Sequence, residues 1–147
     1  MSWFNYIGLI IIVVILIPNV IRSAKSKNPK NVGILKLITI GENLGRFGAI
    51  FFMIFNIPYT WFSFFLPNGL TIYIVTNVIL VGAYLFFYVV FWNTDRLSKA
   101  LFLSIIPSII FLFSGIMITS IPLIIFAVLF GVTHIYISVY NSGKTRI

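Results

Sequence analysis

The sequence predicts an all-α integral membrane protein, a bundle of five transmembrane helices with its N-terminus outside and its C-terminus in the cytoplasm. Three observations predict it. The composition is 61% hydrophobic and only 8% charged, against about 25% charged in a soluble domain, so no water-soluble surface can be assembled from it. The apolar residues gather into five stretches of about 20 residues, the length needed to cross a ~30 Å hydrocarbon core. The basic residues are one-sided. Arg22, Lys25, Lys27, Lys30, Arg96, Lys99, Lys144 and Arg146 fall in the inner loops and tail, and none falls in the outer segments 1–2, 58–69 and 119–121. That asymmetry is what the positive-inside rule requires.

At 147 residues the chain reads as a single transmembrane domain with no separate soluble one. The first span, 3–21, holds the unbroken apolar run Ile10–Ile17 and closes on Pro18-Asn19. Its positive charges follow it and it has no small-x-small cleavage site, so it is expected to be an anchor rather than a signal peptide. This nearly pure Ile/Val/Leu helix is expected to pack outside the other four. The second span, 32–57, is ~38 Å long as a helix and carries Lys36, Glu42 and Arg46 before Asn56-Ile57-Pro58 ends it. Tyr59–Leu66 is rich in aromatics and free of charge, the pattern of an interfacial belt. Pro67-Asn68-Gly69 then makes a turn. The third span, 70–92, exits into Asn93-Thr94-Asp95-Arg96. The fourth, 99–118, contains Pro107, whose ring frees the Leu103 carbonyl, and Ser104 or Ser108 is expected to satisfy it. The fifth, 121–140, takes Ser120 as its N-cap and Pro122 in its first turn, where proline is tolerated. Spans four and five therefore form a tight antiparallel hairpin.

The candidate site lies in Gly41–Phe47, Gly-Glu-Asn-Leu-Gly-Arg-Phe. Glu42 is the chain's only glutamate, and a charge at the centre of a membrane helix costs roughly 2.5–3.5 kcal/mol on insertion scales. Glu42 and Arg46 stand at i,i+4 with the acid first, the favoured order for a pair on one face. Gly41, Gly45 and Gly48 form a second face that lets another backbone approach closely, within the bundle or across a homodimer seam. On the third span Tyr73, Asn77, Tyr84, Tyr88 and Asp95 keep one helical face. Tyr84 and Tyr88 are expected to donate hydrogen bonds toward Glu42 or a ligand, and Asn77 to lie near the level of Arg46. His134, the only histidine, sits ~20 Å down the fifth span, and Glu42 sits ~15 Å up the second, so their depths nearly coincide. They are read as a pair able to shuttle a proton or hold a cationic group, against the alternative of a structural lock.

Five spans within 147 residues resemble, in size and topology, the tryptophan-rich sensory (translocator) proteins. The chain has three tryptophans and no counterpart of that family's Trp/Pro-rich loop motif, so no residue roles carry over.

Composition also bounds the function classes. The absence of cysteine rules out disulfides and thiolate metal sites, and one histidine with two acids is too few for an all-protein metal site. No P-loop, nucleophile elbow, HExxH, catalytic carboxylate pair or dinucleotide fingerprint is present, so no cofactor and no catalytic residue are assigned. The net charge of +8 is topogenic and suits anionic lipid head groups rather than nucleic acid. Heavy use of Ile, Phe, Asn and Lys suggests an AT-rich bacterial genome and hence the bacterial cytoplasmic membrane. The leading expectation is a small transporter or ligand-binding membrane protein whose polar core is Glu42, Arg46 and His134, with Asn77, Tyr84 and Tyr88 around it. A non-catalytic interaction protein, such as an immunity factor or accessory subunit of a membrane complex, is the alternative. A lipid-modifying enzyme ranks third.

Overall fold

The computed structural model describes residues 3–25, 34–56, 64, 66–92 and 97–144. Five helices account for the regular structure in it: α1 (Tyr6–Lys25), α2 (Ile34–Ile54), α3 (Gly69–Val90), α4 (Leu97–Met117) and α5 (Ile121–Lys144). Each overlaps one expected span, with ends that move by a few residues. The largest shifts are at α1, which starts three residues later and runs four further, and at α5, which runs four residues further. Four of the helices are long and apolar enough to cross a membrane: Lys36–Ile54, Gly69–Val90, Leu97–Met117 and Ile121–Ser142. In α1 the apolar stretch Tyr6–Ile21 is shorter. The aromatic segment 57–63, Asp95, Arg96 and the basic residues 27, 30 and 146 lie outside the described residues.

The helices alternate in direction. The start of α1, the end of α2, the start of α3 and the α4–α5 hairpin share one end of the bundle, here the hairpin end. The other end is the basic end. At the centre is α4, with 61% of its span buried against 17% to 22% for α2, α3 and α5. It packs against α3 on one side and α5 on the other, and α5 in turn packs against α2. The place of α1 corrects an expectation. It lies between α2 and α3 and buries Ile11, Ile12 and Ile15 in the common core, so it closes the ring instead of lying outside it. The β-branched stripe on one face of α1 fills the gap between two helices that do not themselves pack together, and its other face leaves Ile10, Val13, Ile17 and Val20 exposed.

Local chemistry sets the ends. The N-terminal segment is tied to the end of α2: the Asn5 amide donates to the Ile54 carbonyl at 2.7 Å and the Asn56 amide to the Trp3 carbonyl at 2.8 Å, so Phe4 and Phe55 pair in a single antiparallel bridge. Asn5 also donates through its side chain to the Met53 carbonyl at 3.1 Å and accepts from the Gly8 amide at 3.0 Å. At the hairpin, Ser120 N bonds Gly115 O at 2.8 Å and Thr119 N bonds Ile116 O at 3.1 Å, the double closure of a Schellman turn. Thr119 takes the left-handed position with φ 52°, a place usually held by glycine and costly for a β-branched residue. Ser120 then caps α5, as its position predicts, by accepting from the Leu123 amide at 3.3 Å.

Both interior prolines are followed by a residue whose side chain bonds back one turn. Ser108 Oγ donates to the Ser104 carbonyl at 2.8 Å and Asn19 Nδ2 to the Ile15 carbonyl at 3.2 Å. The serine after Pro107 thus bonds one carbonyl beyond Leu103, which corrects the expected target. Ser104 Oγ reaches the Ala100 carbonyl at 2.7 Å and also Ser138 of α5, so these hydroxyls serve the α4–α5 contact.

Candidate functional site

The antiparallel seam of α2 and α5 sets the site. Glu42, Gly45, Ala49 and Met53 are the buried stripe of α2, at the three- and four-residue steps that keep one helical face. The glycines beside them bring α5 close. A Cβ on Gly45 would stand 2.6 Å from Phe130 N and 2.8 Å from Phe130 Cα, one on Gly48 would meet the Phe126 ring, and one on Gly41 would lie 3.4 Å from Thr133 Cγ2. As α2 rises from residue 41 to 48, its α5 neighbours fall from 133 to 126. That register puts Glu42 opposite His134. Both residues lie roughly 18–20 Å from the hairpin end, twelve residues before Ile54 and thirteen after Ile121 at ~1.5 Å per residue.

Three ionisable groups meet there. His134 Nδ1 is 2.8 Å from Glu42 Oε1, and Arg46 Nη2 pairs with the same oxygen. A carboxylate only accepts hydrogen bonds, so the imidazole donates through Nδ1 and leaves Nε2 as its second face. Arginine does not deprotonate in proteins, so the Glu42–Arg46 pair is neutral as an ion pair and carries a positive excess once His134 is protonated. Phe130 joins the group to the core. Its ring stacks on the His134 ring with centroids 4.7 Å apart and 17° between planes, lies 5.8 Å under the Arg46 guanidinium, and meets Phe111 of α4 edge-on at 5.5 Å. The cation over the ring face adds about 0.5–2 kcal/mol. Burial is graded across the site: the Glu42 side chain is 9% exposed, His134 21% and Arg46 37%.

Of the six residues named from sequence as ligand-binding, the structure gathers three, Glu42, Arg46 and His134. The other three lie elsewhere. The Tyr84 hydroxyl donates to Asn19 Oδ1 on α1 at 3.1 Å. Tyr88 sits edge-on to Trp92 at 5.3 Å toward the basic end. Asn77 is fully buried, donates to the Tyr73 carbonyl at 2.9 Å and accepts from Ser114 Oγ at 3.3 Å. Tyr73 in turn accepts from Asn5 Nδ2 at 3.4 Å. The polar stripe of α3 therefore faces α1 and α4, not α2. One helical face read in isolation carries no information about which neighbour it meets, and here α1 intervenes. Sequence reasoning also passed over Phe130, whose signal was its place four residues before His134.

Among the described residues no three His, Cys, Asp or Glu side chains gather as a metal site. No family model, curated protein or solved structure matches the chain.

Proposed function

We propose that this chain is a five-span membrane protein, N-terminus outside and C-terminus in the cytoplasm, that binds or transports a small ligand at the α2–α5 polar site. The membrane part rests on four long apolar helices whose outward faces carry exposed Leu, Ile, Val and Phe, and on the one-sided basic residues of the loops. Heavy use of Ile, Phe, Asn and Lys makes a bacterial cytoplasmic membrane the proposed location. The observation that carries the ligand reading is the Glu42–Arg46–His134 group. A structural lock needs only one acid and one base. This group holds a third ionisable side chain on the same carboxylate oxygen and grades from buried to about a third exposed. The interaction-protein alternative drew on the glycine face, and α5 occupies that face.

The test is thermal stabilisation of the purified protein by a panel of anionic, cationic and neutral amphiphiles. Stabilisation of the wild type is expected, with its loss in Glu42→Gln and Arg46→Ala at unchanged expression. Variants that fail to fold, or a wild type that responds to nothing in the panel, would make the group a structural lock.

A further inference from the structure

We infer that the ligand is an amphiphile with an oxyanion head, a carboxylate or phosphate on an apolar chain, which reaches Arg46 and Asn43 from the lipid side of α2. This rests on the ligand-binding reading above and narrows it to one chemical class.

Hydrogen-bond donors outnumber acceptors at the site. Glu42 offers the site's only negative charge, and its Oε1 already accepts from both Arg46 and His134. A cationic ligand would have to compete with two donors held in place by the fold. Asp95, the chain's other acid, lies five residues past the end of α3 in sequence. The donors are in surplus. Among the described residues the Arg46 guanidinium makes one hydrogen bond, through Nη2 to Glu42. A guanidinium has five N–H groups in a planar fork that matches a carboxylate or phosphate. In a hydrocarbon surrounding with no water to satisfy them, spare donors favour an acceptor brought by the ligand.

Asn43 is an independent residue at the same edge. It is exposed, and among the described residues its side chain has no hydrogen-bond partner. It stands three residues before Arg46, a spacing that puts both on one side of the helix. Against lipid tails an unpartnered carboxamide is unfavourable, and a lipid-facing position would ordinarily hold Leu or Phe, as 44 and 47 do at 58% and 68% exposure. Two sets of unspent hydrogen-bonding groups therefore share the open edge of the site.

Arg46 is the most exposed member of the group, at 37%. It is the thirteenth of the 21 residues of α2, about 18 Å along a helix of about 30 Å. An anion with an apolar chain reaches that depth through the bilayer, whereas a small hydrated anion does not.

The experiment measures the melting temperature of the full chain in detergent with oleate, dioleoyl phosphatidic acid, oleylamine, oleyl alcohol or inorganic phosphate. Arg46→Lys and Asn43→Leu are compared with wild type. Both variants are chosen to fold, the first because it keeps a cation beside Glu42, the second because it places an apolar side chain against lipid. Oleate, phosphatidic acid or both should stabilise the wild type in a saturable way, and each variant should raise the half-saturating concentration five-fold or more. Response to oleate alone assigns a free fatty acid, and response to phosphatidic acid a membrane lipid. Stabilisation by oleylamine alone would overturn the anion assignment and leave ligand binding standing. Stabilisation by inorganic phosphate alone would overturn the route through lipid. Equal response in wild type and both variants would place any binding elsewhere and overturn the inference. No response to any probe would remove the ligand reading with it.

Discussion

Removing one member of the Glu42–Arg46 pair strands the other among apolar helices. Breaking a buried ion pair from one side costs about 3–5 kcal/mol. Arg46 is more than a third exposed, so Glu42→Ala is expected to fall at the low end, about 3 kcal/mol, in denaturant unfolding of the purified protein. The double variant Glu42→Leu, Arg46→Leu should recover most of that, because a well-packed apolar pair is often as stable as a buried salt bridge. It should also be inert in the amphiphile assay. Recovered stability without binding separates the group's chemistry from its packing. His134→Phe makes a smaller change. It keeps a ring to stack on Phe130 but removes the donor to Glu42, a loss of about 1.5–3 kcal/mol for a hydrogen bond to a charged group.

At the level of the helix the α2–α5 seam yields a graded series. Gly45→Ala pushes a methyl against the Phe130 backbone, which has no rotamer to yield, so α2 and α5 must part. Over-packing of this kind costs about 1–3 kcal/mol. Gly48→Ala meets a phenyl ring that can turn, so the cost should be smaller. Gly41→Ala makes an ordinary contact and should be near neutral. Gly82 has nothing within 4 Å of its Cβ position, so Gly82→Ala is expected to stabilise by about 0.5–1 kcal/mol through helix propensity. Melting temperatures in the order Gly82→Ala, Gly41→Ala, Gly48→Ala, Gly45→Ala check the seam. The same elements show what the sequence can reveal. Helix positions, the Ser120 cap and the Glu42–His134 encounter follow from hydropathy, turn chemistry and depth along the helix axis, all local or one-dimensional quantities. The pairing of α3 with α1 does not. It depends on where a helix of almost uniform apolarity finds room, and only Asn19 hints at it, as a partner for Tyr84.

For the molecule as a whole the orientation is open to direct labelling, because the chain has no cysteine of its own. Single cysteines at Asn68, before α3, and at Ser142, in the last turn of α5, lie at opposite ends of the bundle. In intact cells an impermeant thiol reagent is expected to modify Asn68→Cys at once and Ser142→Cys only after permeabilisation. The reverse pattern would invert the proposed topology. Labelling of both from one side would leave an even number of crossings between them and remove one of α3, α4 and α5 as a span.

The tie between the N-terminal segment and the end of α2 also has a bearing on synthesis. The Asn5 side chain bonds a carbonyl 48 residues ahead of it, which a ribosome adding about 5–20 residues per second reaches some 2–10 s later. Its bond to the Tyr73 hydroxyl lies 68 residues ahead. Until then the Asn5 side chain has only the Gly8 amide nearby. The polar start of α1 thus matures late, and α1 and α2 acquire their shared end as a unit once both have been made.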